Sequence, residues 1–323
     1  MSKNGNLSKA KRAQNDEFYT RLEDVEAELV HYAKSDCFAG KHVYLNCDKP
    51  GKSAFWTYFY DNFQTLRLSL LSATYKTLDG RHATLYQYDG TDLTEKVLAE
   101  DGSYDSGECE AVLNSCDMVV TNPPFSLFLK YVSYLVEHDK DFIIIGNANS
   151  MFCRDMFPML VSGSLHIGFT KPKIFEIPQT YTAGNVRAIN GRKYATFGNI
   201  CWYSTIDLGE EKPELPLTKQ YSEALYEKYD NYDAIEVPSL KDIPYDYAGI
   251  MGVPVSIMEK WNPNQFEIVW QASGNTRSCC PPHLLEELGY TPLPDDRGGA
   301  CVLNGKLKYT RVFIRNKRLQ CSR

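Results

Sequence analysis

The chain has 323 residues, 43% hydrophobic and 24% charged, an ordinary globular composition with enough sequence for one large domain or two of usual size. No window approaches an apolar membrane span, and the polar start Met1 to Lys11 has no secretion-signal core, so a cytoplasmic protein without membrane contact is expected. The net charge of −6 argues against a polyanion partner only in sum: Lys306, Lys308, Arg311, Arg315, Lys317, Arg318 and Arg323 lie in a tract without acids, and Lys3, Lys9, Lys11 and Arg12 precede the first acid, Asp16.

In chain order, the patterns predict a helix over Leu22 to Ala33, a strand over His42 to Leu45, and a helix over Ala54 to Asn62. Strands follow at Leu68 to Ser72 and Thr84 to Tyr88, then a helix around Gly107 to Asn114. A short apolar strand ends at Asn122, a helix spans Leu127 to Glu137, and Phe142 to Gly146 reads as another buried strand. Strands alternating with helices argue for a mostly parallel sheet covered on both faces. Leu165 to Phe169 and Asn199 to Thr205 read as late strands. After Asp207 the polar stretch Gly209 to Pro216 marks a linker, which places one domain at 1–207 and a smaller α+β region at 208–323.

The ten cysteines form no Cys-x-x-Cys pair, and Cys47, Cys116 and Cys201, inside apparent strands, read as small core residues. Cys279-Cys280 and His283 lack the paired spacing of a structural metal site, so no metal is expected.

The most informative run is Asp117 to Phe128. Met118 to Val120 suits a buried strand, and the two prolines forbid its ladder from continuing, so the strand must stop at Asn122. Pro124 and Pro123 each restrict the residue before them to extended conformations. Asn122 and the carbonyls after it are therefore held in a stiff loop at a strand's carboxyl end, the edge where open α/β sheets bind ligands. The loop offers acceptors and no basic group, which suits an amino group that must be held and polarised, and Phe125 offers a face for a planar ring. The alternative is a plain Pro-Pro turn that Asn122 caps.

Asn122-Pro123-Pro124-Phe125 after an apolar strand resembles the catalytic motif of S-adenosylmethionine-dependent amino methyltransferases. Such loops act on DNA adenine, on RNA and on protein glutamine. Asn15 to Thr20 before a helix, Gly40 to Asp48, and Met251 to Val255 with Trp261-Asn262-Pro263 and Gln265-Phe266-Glu267 are together similar to the EcoRI adenine methyltransferase family, over nearly the whole chain. The resemblance implies a Rossmann-like fold whose sheet an antiparallel pair closes. It also implies S-adenosylmethionine as cofactor, double-stranded DNA as partner, and a C-terminal region that recognises the target site. A cognate restriction endonuclease is compatible with it, and no obligate protein partner is implied. In such an enzyme the flipped adenine would donate hydrogen bonds to the Asn122 side chain and the Pro123 carbonyl, over Phe125.

Most enzymes of this fold hold the cofactor with a glycine-rich loop and an acid on the second strand. Here Asn46-Cys47-Asp48-Lys49-Pro50-Gly51-Lys52-Ser53 contains one glycine, and Leu68 to Ser72 is followed by no carboxylate. Asp48 is the candidate for the cofactor's polar end, with Asn46, Cys47 and Asn122 beside it. Phe18, Tyr19 and Thr20 are candidates for a wall, and Asp101 for the adenine. Pro50-Gly51-Lys52-Ser53 also imitates the end of a phosphate-binding P-loop, but the first glycine of that motif would be Asn46.

Overall fold

The computed structural model describes residues 18–77, 82–179, 181, 186–210 and 212–320. The expected contributions of Asn15 to Glu17, of Lys3, Lys9, Lys11 and Arg12, and of Arg323 lie outside these. The chain divides into two compact units, Met1–Leu208 and Gly209–Arg323.

The first unit contains, in order, β1 (Tyr19–Thr20), α1 (Leu22–Lys34), β2 (His42–Leu45), α2 (Ala54–Asp61), α3 (Phe63–Leu66), β3 (Leu70–Ala73), β4 (Thr84–Tyr88) and β5 (Leu93–Val97). Then come α4 (Gly107–Ser115), β6 (Met118–Thr121), α5 (Phe128–Glu137), β7 (Asp141–Asn147), α6 (Met156–Ser162), β8 (His166–Ile167), β9 (Ile174–Ile177), β10 (Val186–Ile189), β11 (Arg192–Thr196) and β12 (Ile200–Ser204). Eight strands form one sheet in the order β5-β4-β3-β2-β6-β7-β12-β8. Its centre, β3-β2-β6-β7, is parallel. Both flanks are antiparallel, so the sheet is mixed rather than mostly parallel. β12 against β7 and β8 supplies the expected closing pair. The other flank departs from expectation because β5 is exposed along its whole length and shows no buried face to read.

β2 and β6 are buried at every position because helices cover both faces. Val43, Leu45, Val120, Ile143, Ile145 and Trp202 share one core with Val25 and Leu29 of α1 and Phe55 and Phe59 of α2. The alternate residues meet the opposite helices. The Tyr44 hydroxyl lies 2.6 Å from Thr74 Oγ1, which Cys109 of α4 approaches at 3.7 Å, and Phe128 of α5 packs on Tyr203. Ser53 caps α2 by accepting from the amides of Phe55 and Trp56. Of the cysteines read as strand residues, only Cys201 lies in one; Cys47 is in the turn past β2, and Cys116 ends α4.

A second, four-stranded sheet, β1-β9-β11-β10, is antiparallel throughout. The strand expected at Leu165 to Phe169 shortens to two residues because the chain after β8 turns onto a buried carboxylate. Glu28 of α1, fully buried, accepts from the Phe169 amide at 3.0 Å and from the Thr170 amide and hydroxyl at 2.7 Å each. Glu28→Ala is expected to lower stability by about 2–4 kcal/mol, because three charge-assisted hydrogen bonds are lost together. Urea unfolding would read this directly, and a loss under 1 kcal/mol would show that the contacts are incidental.

The second unit builds a four-stranded sheet, β13-β14-β18-β15, from β13 (Ala234–Glu236), β14 (Ile250–Pro254), β15 (Phe266–Ala272) and β18 (Arg311–Asn316). The short helices α7 (Thr276–Cys279) and α8 (Pro282–Glu287) and a hairpin of β16 (Val302–Leu303) and β17 (Lys306–Leu307) complete it. The basic C-terminal tract is largely neutralised within the unit. Arg311 and Lys308 pair with the buried Glu236, Arg315 with Glu267 and Glu287, and Arg318 with Glu214. Trp261 donates to the Phe266 carbonyl, and Tyr247 packs on Tyr221, so these aromatics serve the unit's own packing.

Candidate active site

The parallel strands β2, β3 and β6 end together, and their carboxyl ends open into a cleft of about 440 Å³. Its walls include Asn46 to Lys49 after β2, Tyr75 to Thr77 after β3, Asn122 and Pro124 after β6, and Phe18 to Thr20 from the segment that forms β1. Gly102 to Tyr104 close another side. Lys52, Ser53 and Phe55 at the start of α2, His82 and Leu127 also line it. Backbone hydrogen bonds hold the ends of β2 and β3 together, from the Asp48 amide to the Thr74 carbonyl and from the Thr74 amide to the Leu45 carbonyl, each 3.1 Å.

β6 ends at Thr121, as the prolines require, and Asn122 is locked by its side chain. Asn122 Nδ2 donates to the Phe18 carbonyl at 2.6 Å and to Thr20 Oγ1 at 3.2 Å. An oxygen facing the Phe18 carbonyl would be repelled, so these contacts decide which way the amide turns. Oδ1 is left buried and without a partner. Asn46, 1% exposed, shows the reverse arrangement: its Oδ1 accepts from the Tyr131 hydroxyl, and its Nδ2 has no partner. One unanswered acceptor and one unanswered donor thus belong to two residues that line the same cleft. Buried polar atoms are rarely left so, and two in one cavity mark where a ligand's polar groups belong.

Asp48 lines the same cleft and is buried. Its carboxylate accepts from Ser53 Oγ at 2.5 Å and from Thr121 Oγ1 at 2.6 Å. Burial pushes the carboxyl up to about 6, against those two hydroxyls, which favour its ionised form. It is the one acid among the lining residues, which also include Lys49, Lys52, Lys76 and His82. An organic cation is the partner such a carboxylate lacks.

Of the expected site residues, Phe18, Tyr19, Thr20, Asn46, Cys47, Asp48, Asn122 and Pro124 come together in this cleft. Pro123, Phe125 and Asp101 are not among its lining. Phe125 packs against Phe18, with ring centroids 5.5 Å apart, and against Phe175 at 6.3 Å, so it supports the wall from behind. Asp101 acts on the loop beside the cleft, accepting from the Ser103 amide at 2.9 Å and pairing with Lys76 at 3.2 Å. The Ser103 amide, with the Lys76 ammonium, holds the Asp101 carboxyl below its ordinary value. Sequence reasoning missed Thr121, Tyr131 and Gly102. Only Gly102 carried a local signal, the turn-forming pair Asp101-Gly102; in the structure its φ is +77°, and a Cβ there would sit 2.5 Å from the Tyr75 carbonyl oxygen. Gly102→Ala should therefore displace the wall, weakening cofactor binding about tenfold and costing about 1–3 kcal/mol of stability. Calorimetric titration beside a thermal melt tests this, and unchanged affinity would remove Gly102 from the wall.

The model of the family described as the EcoRI adenine-specific methyltransferase matches residues 6–317. The chain belongs to this family. It is 35% identical to the type II methyltransferase M.EcoRI of Escherichia coli, with 97% of each chain covered. It is also 32% identical to the type II methyltransferase M.MpnI of Mycoplasma pneumoniae, over 96% of this chain and 98% of the relative. M.MgeORF184P of Mycoplasma genitalium, likewise named a type II methyltransferase, is 31% identical over 97% of this chain and 99% of its own. No solved structure matches the chain significantly. The protein is therefore a methyltransferase of the adenine-specific kind, and the loop after β6 carries the segment Asn122-Pro123-Pro124-Phe125.

Proposed function

We propose that the enzyme transfers a methyl group from S-adenosylmethionine to the exocyclic amino group of an adenine in duplex DNA. The observation that carries this reading is the Asn122 amide, clamped through Nδ2 so that Oδ1 stands without a partner in the wall of a cofactor-sized cleft. When bound, S-adenosylmethionine supplies an electrophilic methyl on its sulfonium. The residues present suit it: Asp48 would hold the cofactor's ammonium, the Asn46 Nδ2 donor and Lys52 its carboxylate, and the wall around Tyr75 and Tyr104 its adenosine.

The target amino group lies inside a base stack and must be rotated out to reach the cleft. Asn122 Oδ1 would then accept a hydrogen bond from one N–H, and the resemblance assigns the other to the carbonyl of Pro123, which does not itself line the cleft; such bonds draw the nitrogen lone pair out of conjugation with the ring and aim it at the methyl group. The attacking nitrogen ends with one proton too many, which passes to solvent; neither acceptor need act as a base. Catalysis by this loop is orientation plus electrostatics from groups already in place. Phe18 and Thr20 keep Asn122 from rotating, Phe125 supports Phe18, and Pro123 and Pro124 keep the loop stiff.

The second unit is proposed to recognise the DNA sequence, in the manner of a type II methyltransferase paired with a cognate endonuclease. The deciding experiment is transfer of a radiolabelled methyl group offered in parallel to duplex DNA, ribosomal RNA and cell-extract protein, followed by mapping of the methylated adenines. Label in DNA at one recurring sequence is expected. Label in RNA or protein alone would overturn the substrate assignment while leaving the cleft chemistry intact.

A further inference from the structure

Asp296 in the second unit is a fully buried carboxylate. Its Oδ1 accepts from the amides of Gly298 and Gly299 at 3.0 and 3.2 Å and from Arg277 at 2.5 Å. Its Oδ2 accepts from the Tyr290 hydroxyl at 2.6 Å and the Leu293 amide at 3.1 Å. Its carbonyl accepts from the Gly299 amide at 3.2 Å and from the Ala300 amide at 2.8 Å, closing a tight turn over Asp296-Arg297-Gly298-Gly299. The two central residues both have positive φ, +49° at Arg297 and +92° at Gly298. That is the mark of a type I′ turn, whose first central position is normally Asn, Asp or Gly. Gly298 is obligatory, since a Cβ there would strike the Gly274 carbonyl. Arg297 is not: an arginine in this region is strained, and glycine would hold the same turn without strain.

The side chain placed at this cost is exposed, and among the described residues it has no hydrogen bond or ion pair. Every other described arginine of the unit is engaged: Arg277 with Asp296, Arg311 with Glu236, Arg315 with Glu267 and Glu287, and Arg318 with Glu214. A strained residue in a heavily braced turn, carrying the unit's one unengaged described guanidinium, points to a ligand outside the chain. We infer that Arg297 reads a guanine of the target sequence through a bidentate contact to its O6 and N7 in the major groove. Phosphate contacts tolerate a mobile cation, whereas a fork that must meet two base atoms needs its backbone held rigid, and this turn is rigid. The inference rests on the proposed role of the second unit in DNA recognition.

The test maps methylated adenines on plasmid DNA treated with the full-length enzyme or with Arg297→Gly or Arg297→Ala. For Arg297→Gly the melting temperature is expected to hold or rise, since the turn is relieved, while preference for one G·C pair in the methylated sequence falls about ten- to a hundredfold. Replacing that guanine with 7-deazaguanine should cost the unaltered enzyme activity and leave Arg297→Gly little affected. A variant that melts lower with its sequence preference intact would make Arg297 structural. A uniform loss of yield with the same methylated sequence would make it a phosphate contact, and either result overturns the inference. Failure of the unaltered enzyme to methylate any DNA would instead overturn the underlying reading, and this inference with it.

Discussion

Asn122→Ala is expected to lower the rate of methyl transfer by about a hundred- to a thousandfold, the usual loss when one preorganised hydrogen-bonding group is removed from a site that works by positioning. Cofactor affinity should change by less than about threefold, because the donor and carboxylate assigned to the cofactor are Asn46 and Asp48. Asn122→Asp separates the two ends of the amide. It keeps an acceptor but puts a carboxylate oxygen against the Phe18 carbonyl, where Nδ2 now donates at 2.6 Å. Both substitutions should therefore lose turnover, but only Asn122→Asp should also lower the melting temperature markedly, through that repulsion. Single-turnover transfer with calorimetric titration of S-adenosylmethionine measures both effects, and an Ala variant within threefold of normal turnover would end the proposed role.

Asp48 governs the second large effect, and its sign depends on pH. Its carboxyl is raised from 3.8 to about 6 in the fold, so the folded state holds a proton that the unfolded chain has released between those values. The benefit of burying the neutral acid is complete below about pH 4 and is lost as pH rises toward 6. Above that, the buried charge costs on the order of 3 kcal/mol relative to the acid limit. Without cofactor, Asp48→Asn should therefore be the more stable protein at pH 8, by about 1–3 kcal/mol, with no such gain at pH 4. Cofactor binding should run the other way. Affinity in the unaltered enzyme should rise as pH increases through about 6 and the carboxylate forms, and Asp48→Asn at pH 8 should bind at least about tenfold more weakly. Affinity that stays flat between pH 5 and 7.5 would show that Asp48 does not face the cofactor's cation.

The central strands were readable because their information is local. A short apolar run such as Met118 to Val120 shortly before two prolines leaves the backbone few options, and β6 ends at Thr121, two residues before Pro123. The same stiffness made Asn122 legible as a candidate residue before any contact was known, and the structure places it in the wall of the cleft. The hairpin of β4 and β5 was half legible: Thr84 to Tyr88 alternates, but β5 buries nothing and leaves no periodic trace. Asp101 was read as a partner for the cofactor's adenine, yet its carboxylate turns to Ser103 and Lys76, a choice made by a neighbouring amide and an ammonium rather than by its position in the chain. The basic C-terminal tract shows the limit of charge counting, since the acids that neutralise Arg311, Arg315 and Arg318 lie 28 to 104 residues earlier in the chain.

By itself, then, the sequence determined where β6 must stop, which loop is rigid and which family the chain resembles, the first two being consequences of backbone restriction over a few neighbouring residues. Tertiary structure alone decided which atom of each amide remains unanswered and how readily Asp48 holds its proton. Those depend on partners far along the chain: Phe18 for Asn122, 104 residues away; Tyr131 for Asn46, 85 away; and Thr121 for Asp48, 73 away. Hydrogen-bond direction and desolvation are properties of what the fold brings within about 3 Å, and no local pattern encodes them.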